Sequence, residues 1–330
     1  MTNDRPPPAT RRAATRVATR LRRRFTKPRL AQLAVVRALF VVVFIFVLLA
    51  ADSAPPGLGR PHAAAEVGWP VRAAFYYPWY PESERWATRY TPSLGKYDSS
   101  NRRILATHVA QARYAGLDAF IASYWGLHTP TARRLPLLLD AAAEQGFHIV
   151  AYYEPESLPS PPSGPLLNRD FVSLYQLAAH PAWLRVAGRP VLFIYNIGPE
   201  ARCTAVSRLL AANKGRFYLD LKVFNGYRDC PEQPDSWHQY VPARSFDQQD
   251  SHSVTVSPGF FKFDELVPRL ARNPARFQAD LHRQVASRAR WQLITSFNEW
   301  GEGTAVEPSR QWPSASGYGT YLDVMRSVYS

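Results

Sequence analysis

Residues 118–154, DAFIASYWGLHTPTARRLPLLLDAAAEQGFHIVAYYE, decide the fold. The apolar runs at the two ends of this stretch, residues 118–125 and 148–154, are typical of buried strands, and the segment between them at 133–145 has a helical pattern. Gly146 lies where this helix should end, because glycine is favoured just beyond a helix C-terminus. The stretch therefore predicts a βαβ unit, the repeating element of parallel sheets.

The same alternation of short apolar runs and longer helical segments continues on both sides of this unit. We predict eight strands, at residues 73–80, 118–125, 148–154, 190–196, 217–224, 237–241, 253–257 and 291–298. We predict helices at residues 103–115, 133–145, 171–179, 200–213, 263–288 and 318–328. Eight such units in roughly 260 residues match a (β/α)8 barrel, or TIM barrel. The alternative, a doubly wound open sheet, would need a G-x-G-x-x-G turn that the sequence lacks. We therefore predict an α/β fold in which residues 71–330 form one catalytic barrel.

Most of the positive charge precedes this domain. The chain has a formal charge of +14, and residues 1–37 hold ten arginines and one lysine against Asp4 alone, which places +10 of it there. The barrel is therefore close to neutral, which argues against nucleic acid as its partner. Residues 1–29 also have a repetitive, apolar-poor composition, so we predict a disordered basic tail.

An apolar segment follows this tail. Residues 38–51 are apolar without a break, and residues 30–51 are apolar except for Gln32 and Arg37. Because a membrane span needs about 20 residues, we predict a transmembrane or signal-anchor segment at 30–51. The alternative is a cleavable signal peptide with its cleavage site at residues 63–65, but the long basic leader favours an uncleaved anchor.

The positive-inside rule sets the expected topology. The basic tail stays in the cytoplasm, and everything after Ala51 is outside it. Residues 52–70, rich in proline and glycine, are then a linker. We therefore expect a single-pass cell-membrane protein with an exported barrel, or a secreted barrel if the signal is cleaved. The two cysteines, Cys203 and Cys230, both fall in the exported part, where a disulfide is possible, but the sequence does not show whether they meet.

Aromatic and acidic side chains follow several predicted strands. The active site of a barrel is built at the C-terminal ends of its strands, aromatic rings stack on the C–H faces of sugars, and paired carboxylates cleave glycosidic bonds. A carbohydrate is therefore the expected substrate. The residues that we expect to bind it are Tyr77, Trp79, Tyr80, Trp125, Tyr153, Glu154, Asn298 and Trp300. Asp118, at the opposite end of its strand, is expected to have a structural role.

Two carboxylates, Glu299 and Glu302, follow the last predicted strand. In a helical turn this spacing places the Cβ atoms roughly 5 to 6 Å apart, which favours a retaining glycosidase, whose carboxyl groups lie about 5 to 5.5 Å apart. Adjacent like charges raise one pKa, so one group is the acid and the other the base. The alternative, an ordinary surface helix, is disfavoured because Gly301 and Gly303 are poor helix formers.

The segment 296–304, SFNEWGEGT, followed by Glu307 and Pro308, resembles the signature of glycoside hydrolase family 99, the endo-α-1,2-mannosidases. Further motifs occur in the family's order across nearly all of residues 71–330, at 76–80, 115–118, 124–126, 154–155 and 257–259. The resemblance implies a (β/α)8 barrel and retaining endo-cleavage of α-mannosides through a 1,2-anhydro sugar. Glu299 would then deprotonate the sugar 2-hydroxyl, Glu302 would protonate the leaving oxygen and later activate water, and Glu307 would be a substrate-binding residue. No cofactor and no metal are implied.

Two positions depart from the family pattern. Gly301 stands where the family usually has histidine, and residues 260–262, FFK, stand where an aromatic and two acidic residues are usual. The resemblance therefore implies retaining hydrolysis of α-mannosidic or related α-linked glycans more firmly than it implies the α-1,2 linkage.

Two other functions are compatible with parts of the sequence. A similar N-E-W-x-E-G stretch occurs in domains beside bacterial polysaccharide glycosyltransferases, which indicates an enzyme of surface polysaccharide assembly. The absence of a diphosphate-binding motif and of D-x-D argues against a sugar donor site. A non-catalytic carbohydrate-binding barrel is the other alternative, and the retention of Glu299 and Glu302 argues against it. We therefore expect a membrane-anchored, extracytoplasmic glycoside hydrolase.

Overall fold

A computed structural model describes residues 66–81, 86–155, 157–159, 161–196, 202–224 and 226–330 of the chain. The predicted tail at 1–29, the predicted anchor at 30–51 and most of the predicted linker at 52–70 lie outside these residues. Within the described ranges, no helix is both long enough and apolar enough to cross a membrane.

Parallel strands form a nearly closed barrel. The strands are β1 (Val71–Tyr76), β2 (Ala119–Tyr124), β3 (His148–Tyr153), β4 (Arg185–Val186), β5 (Arg189–Ile194), β6 (Tyr218–Lys222), β7 (Ser236–His238), β8 (Phe246–Gln249), β9 (Ser253–Val256) and β10 (Trp291–Ile294). Their order is β7-β6-β5-β3-β2-β1-β10-β9-β8, and β4 pairs with β5. Each of the eight predicted strands overlaps one of the parallel strands, and among the described strands only β4 and β8 are paired antiparallel. The predicted barrel is thus confirmed in its parallel strands.

The barrel is completed where the segment after β7 meets β9 and the residue that follows β10, and side-chain hydrogen bonds join these elements there. The hydroxyl of Thr255 donates to the carbonyl oxygen of Gln239 at 2.6 Å, and the hydroxyl of Thr295 donates to that of Tyr240 at 2.6 Å. In the described part of the chain, no backbone ladder links β7 to β9. The ring of strands is therefore completed by polar side chains rather than by continuous strand pairing.

Six α-helices are described, fewer than the eight of a complete (β/α)8 barrel. They are α1 (Arg102–Tyr114), α2 (Pro130–Ala143), α3 (Gly164–Leu177), α4 (Arg202–Asn213), α5 (Pro274–Ala286) and α6 (Thr320–Tyr329), with a 3₁₀ turn at Tyr227–Asp229. In the described chain the antiparallel strand β8, rather than a helix, connects β7 to β9.

One predicted helix is too long. Residues 263–288 were expected to be helical, but α5 begins only at Pro274. The side chain of Asn273 caps this helix by accepting a hydrogen bond from the Arg276 N–H, and proline is favoured at the first helical position because it has no N–H to satisfy. Before the cap, Phe260 and Leu270 pair as an antiparallel bridge. The segment between them is therefore a loop beside the barrel.

The interior of the barrel contains a buried polar group among aromatic rings. The two nitrogens of the His238 ring contact Asp220 Oδ1 at 2.6 Å and the Tyr152 hydroxyl at 3.1 Å. Phe75 and Phe193 pack against the same imidazole at 5.8 and 5.0 Å between ring centroids. A buried carboxylate is costly unless it is paired, and the His238 ring pairs with one of the two Asp220 oxygens, Oδ1.

The end of the predicted linker packs against the end of the barrel at which the strands begin. The Trp69 ring meets the Trp291 ring edge-on at 5.0 Å, and the Val67 N–H donates to the Arg185 carbonyl oxygen at 3.3 Å. Asp118, at the same end, accepts a hydrogen bond from the Arg72 N–H at 2.8 Å. The structure therefore gives Asp118 the structural contact expected of it and shows that residues 66–70 contact the domain.

A disulfide joins Cys203, in α4, to Cys230, which follows the 3₁₀ turn. The two Cα atoms are 5.3 Å apart, and the bond closes a sequence separation of 27 residues. A crosslink of this length restricts the unfolded chain and so stabilises the folded one. The pairing left open by the sequence is therefore made in the structure.

Candidate active site

A pocket of about 340 Å³ opens at the C-terminal ends of the barrel strands. Its walls come from the segments that follow β1, β3, β5, β7, β9 and β10. The lining residues are Tyr77, Trp79, Glu154, Tyr195, Tyr240, Lys262, Phe263, Glu299, Gly301 and Glu302. This is the face at which barrel enzymes place their active sites.

The carboxylate pair stands on a tight turn, not on the helical turn that the spacing suggested. The Glu299 N–H donates to the Ser296 hydroxyl at 2.8 Å, and the Glu302 N–H donates to Glu299 Oε1 at 3.2 Å. Gly303 has φ of +66°, and a Cβ there would lie 2.5 Å from the Phe261 carbonyl oxygen. Glycine is required at this position because the turn is left-handed and tightly packed. We call residues 299–305 the carboxylate turn.

Glu302 is held in a setting that suits a general acid. Burial raises the pKa of its carboxyl group, although the hydrogen bond from Tyr240 and the positive charge of Lys262 oppose that rise. The Tyr240 hydroxyl donates to Glu302 Oε2 at 2.9 Å. Burial also raises the pKa of Tyr240, together with the negative charges of Glu302 and Glu299, so the phenol stays a donor. A carboxyl with a raised pKa can remain protonated and donate a proton to a leaving group.

Glu154, in the pocket wall, is fixed by two donors. Ser123 Oγ donates to Glu154 Oε2 at 2.6 Å, and Trp125 Nε1 donates to the same oxygen at 3.2 Å. Trp125 is half-buried, and its ring lies 5.6 Å from that of Trp79. The orientation of Glu154 is therefore set before any ligand arrives, which lowers the cost of binding one.

The aromatic wall of the pocket is continuous. The rings of Tyr77 and Trp79 lie 4.4 Å apart, and Tyr77 meets Tyr240 edge-on at 6.4 Å. Burial, followed by the nearby Tyr240 and Glu154, raises the pKa of Tyr77. This wall offers both ring faces and neutral hydroxyl groups, the two kinds of contact that sugars make with proteins.

Five of the eleven expected site residues line this pocket, namely Tyr77, Trp79, Glu154, Glu299 and Glu302. Trp125 is adjacent and contacts the pocket through Glu154 and Trp79. The remaining five lie behind the walls. They are Tyr80, Tyr153, Asn298, Trp300 and Glu307, all of them buried.

Tyr153 points away from the pocket. Its hydroxyl donates to Asp170 Oδ2 at 2.9 Å, and its ring packs against Phe171, so the side chain faces helix α3. The structure therefore gives Tyr153 a packing role between strand and helix rather than a place at the substrate.

Asn298 and Tyr80 are buried behind the pocket wall and form hydrogen bonds to main-chain atoms there. Asn298 Oδ1 accepts from the Tyr77 N–H at 2.7 Å, and Asn298 Nδ2 donates to the Tyr77 carbonyl oxygen at 3.1 Å. The Tyr80 hydroxyl donates to the Asn298 carbonyl oxygen at 3.0 Å. These bonds connect the segment after β1 to the residue before the carboxylate turn, so Asn298 orients Tyr77, Tyr80 holds Asn298, and neither lines the pocket.

Trp300 and Glu307 belong to a buried network behind the carboxylate turn. Trp300 Nε1 donates to Glu307 Oε2 at 3.0 Å, and the Tyr97 hydroxyl donates to the same oxygen at 2.8 Å. His108 Nε2 lies 3.3 Å from Glu307 Oε1. A buried carboxylate with several partners stabilises a defined geometry, here that of the loop that carries Glu299 and Glu302.

Five lining residues were not among the expected site residues, namely Tyr195, Tyr240, Lys262, Phe263 and Gly301. Tyr195 and Tyr240 come at the ends of β5 and β7, so the rule that located the other strand-end residues would have included them. Lys262 and Gly301 stand at the two positions where the sequence departs from the family pattern, and Phe263 begins the stretch that was expected to be helical. Among the described residues, no group of three or more His, Cys, Asp or Glu side chains could hold a metal ion.

We expect Tyr240→Phe to move the alkaline limb of the kcat/KM–pH profile to higher pH. The Tyr240 hydroxyl stabilises ionised Glu302, so its removal raises the pKa of the acid, which is lost as pH rises through that pKa. Tyr114→Phe is the matched control, because Tyr114 also donates to a carboxylate at 2.9 Å, that of Asp323 outside the pocket. An unchanged limb in Tyr240→Phe, or a move to lower pH, contradicts the assignment.

Comparison with known proteins places the chain among glycosidases. The model of glycosyl hydrolase family 99 matches residues 62–216. The glycoprotein endo-alpha-1,2-mannosidases of Mus musculus and Rattus norvegicus are each 22% identical to the chain, across 76% of it and 70% of each relative. These relatives indicate a glycosidase. The resemblance to glycoside hydrolase family 99 is thereby confirmed, and the chain is endo-α-mannosidase-like.

Solved structures agree on the fold. The family 99 endo-alpha-mannosidase from Bacteroides thetaiotaomicron, in complex with bis-tris-propane, superposes with a TM-score of 0.63 at 20% identity, covering 78% of this chain and 95% of that one. A glycoside hydrolase-like protein superposes with a TM-score of 0.61 at 17% identity, covering 83% and 98%. At these identities the likeness establishes the barrel fold.

Proposed function

We propose that this chain is a retaining glycoside hydrolase that cleaves α-mannosidic or related α-linked glycans. The observation that carries the proposal is the placement of Glu299 and Glu302 together in the wall of one aromatic pocket, where burial raises the pKa of Glu302. A protonated carboxyl beside a second carboxylate is the pair that glycosidic cleavage needs. The choice of α-mannosidic linkages rests on the mannosidase relatives.

The proposed reaction has two steps. In the first, Glu299 takes the proton of the sugar 2-hydroxyl, O2 attacks C1, and the bond from C1 to the leaving oxygen breaks as Glu302 protonates that oxygen. The product is a 1,2-anhydro sugar. In the second, Glu302 takes a proton from water, the water oxygen bonds to C1, the C1–O2 bond breaks, and Glu299 returns its proton to O2. Two inversions at C1 give net retention.

The pocket walls support a carbohydrate as the substrate. Tyr77 and Trp79 offer ring faces, while Glu154 is oriented to accept hydrogen bonds from sugar hydroxyl groups. The volume of about 340 Å³ lies at the lower end of the range for ligand pockets, which suits one or two sugar units inside a longer chain.

We further propose that the enzyme is anchored in the cell membrane by residues 30–51 and acts outside the cytoplasm. The Cys203–Cys230 disulfide supports this location, because disulfides persist in oxidising compartments. Protease added to intact cells should degrade the barrel and spare the N-terminal tail. Protection of the barrel in intact cells would contradict the topology.

A glycan panel tests the hydrolase proposal. Full-length protein is incubated with α-mannans and α-glucans of defined linkage, and the products are separated by chromatography. We expect oligosaccharides from internal cleavage of at least one α-mannan, and none from the Glu299→Gln variant. Binding of these glycans without cleavage would favour a carbohydrate-binding barrel, and transfer from an activated sugar would favour polysaccharide assembly.

A further inference from the structure

Arg272, in the segment before α5, contacts the carboxylate turn and is not among the residues that line the pocket. Its Nη2 donates to the carbonyl oxygen of Gly303 at 2.9 Å and to that of Ala305 at 2.6 Å. These are the first and third carbonyl groups after Glu302. One guanidinium group therefore bridges the part of the main chain on which the acid stands.

Three aromatic rings surround this guanidinium. Its Cζ lies 4.0 Å from the ring centroid of Trp312, 4.8 Å from that of Tyr321 and 5.1 Å from that of Tyr90. Arg272 as a whole is only partly buried, but its Nε and Nη1 atoms are shielded from solvent. Within the described residues, no carboxylate lies at salt-bridge distance from it.

A shielded cation without a carboxylate partner is costly. Burial lowers the pKa of Arg272, yet a guanidinium remains charged at physiological pH. Cation–π contacts and charge-assisted hydrogen bonds to carbonyl oxygens offset part of the cost. An apolar side chain would fill the aromatic cage at lower cost, but it could not bind the two carbonyl groups. The hydrogen bonds to the carboxylate turn are thus what arginine specifically supplies here.

The loop formed by residues 259–263 packs closely against the Arg272 side chain. A Cβ on Gly259 would lie 2.5 Å from Arg272 Cγ and 3.2 Å from its N and Cα atoms, so only glycine fits there. The same loop binds the carboxylate turn directly, because the Phe261 N–H donates to the Glu302 carbonyl oxygen at 2.9 Å and the Phe263 N–H donates to that of Gly301 at 3.1 Å. Glycine at position 259, in the 257–259 motif, therefore leaves the space that the Arg272 side chain and main chain occupy.

We propose that Arg272 is a positioning residue for the acid/base pair. By binding the carbonyl groups of Gly303 and Ala305, it fixes the turn that holds Glu299 and Glu302 at the pocket wall. This role rests on the proposed hydrolase function. Displacing a catalytic group by about 1 Å can cost roughly a hundredfold in rate, so loss of the two hydrogen bonds should reduce turnover without reducing substrate binding.

Arg272→Met and Arg272→Lys separate the hydrogen bonds from the packing. Methionine fills the cage but cannot donate, and we expect kcat to fall about a hundredfold with KM within about threefold, since the aromatic walls are untouched. Lysine keeps a charged donor on a shorter stem, and we expect kcat to stay within about tenfold of the wild type. Arg283→Met is the control, because Arg283 also lies over a ring, that of Phe246 at 3.9 Å, away from the turn.

Hydrogen exchange gives a readout that does not depend on activity. The Gly303 and Val306 N–H groups are bonded to main-chain oxygens of Trp300 and Ser296. In Arg272→Met we expect their exchange to accelerate about tenfold or more, with helix α1 unchanged. If Arg272→Met does not fold, Arg272→Lys is measured in the same way, with a smaller local increase expected.

The outcomes are distinguishable. Unchanged kcat and unchanged local exchange in the folded Arg272 variants would overturn the proposal, and so would acceleration spread evenly over the domain, because that indicates general destabilisation. Equal activity of the Met and Lys variants would also overturn it. A wild-type protein that hydrolyses no glycan would refute the proposed function, while the exchange measurement would still test whether Arg272 holds the turn.

Discussion

Glu302→Gln is expected to lower kcat/KM on a natural oligosaccharide by about a hundred- to ten-thousandfold, which is the usual cost of losing a general acid. Glutamine has nearly the shape of glutamate, and Tyr240 can still donate to its amide oxygen, so the pocket geometry should be kept. The loss should therefore report on proton transfer. The comparison is made on variants whose circular dichroism and thermal unfolding match the wild type.

The size of this loss should depend on the leaving group. An aryl oxide with a low pKa departs without a proton, so Glu302→Gln should recover much of its activity on an aryl α-glycoside. The measurement is kcat/KM for wild type and variant on that glycoside and on the oligosaccharide. An equal loss on both substrates would argue that Glu302 is not the acid, and full activity would remove it from the mechanism.

Glu299→Gln is expected to cause a comparable loss on both substrates. The proposed task of Glu299 is to take the proton of the sugar 2-hydroxyl, and a better leaving group does not remove that need. The variant side chain keeps an amide oxygen that can accept from the Glu302 N–H, so the turn should be preserved. If the aryl glycoside rescued Glu299→Gln alone, the assignment would be reversed, with Glu299 as the acid and Glu302 as the base.

A third glutamate supplies the matched control for both variants. Glu66 contacts the far side of the barrel, where its Oε1 accepts from the Gly188 N–H at 3.0 Å. Glu66→Gln makes the same chemical change outside the pocket, and we expect kcat/KM to stay within about twofold on either substrate. A loss in this variant similar to that of Glu302→Gln would mean that the assay reports folding rather than chemistry.

The parallel strands were predictable because their signal is local. A strand covered on both faces must be apolar along its length, so runs such as residues 119–124 and 148–153 stand out against the amphipathic helix α2 between them. The closure of the barrel beside β7 was not predictable, because it depends on threonine hydroxyl groups that reach the carbonyl oxygens of Gln239 and Tyr240 only in the folded chain. The helix predicted at 263–288 was too long because backbone hydrogen bonds to other segments hold residues 263–273 in a loop.

Among the site residues, those on a regular strand could be assigned to a face from the sequence, and those on an irregular turn could not. On β3, side chains alternate between the two faces of the sheet, so Tyr152 and Glu154 share a face while Tyr153 takes the other and meets Asp170. That alternation could have excluded Tyr153 from the expected site. Trp300 and Glu307 could not have been excluded in this way, because the path of an irregular turn has no fixed period.

The anomeric configuration of the first product shows whether Glu299 and Glu302 act in two successive displacements. Full-length protein is mixed with the α-linked glycan that it cleaves, and ¹H NMR spectra are recorded before mutarotation equilibrates the new reducing end. We expect the α anomer to appear first and the β anomer to grow only later, because Glu299 and Glu302 act in two successive displacements at C1. Initial release of the β anomer would show a single displacement and would contradict the assignment of these two residues.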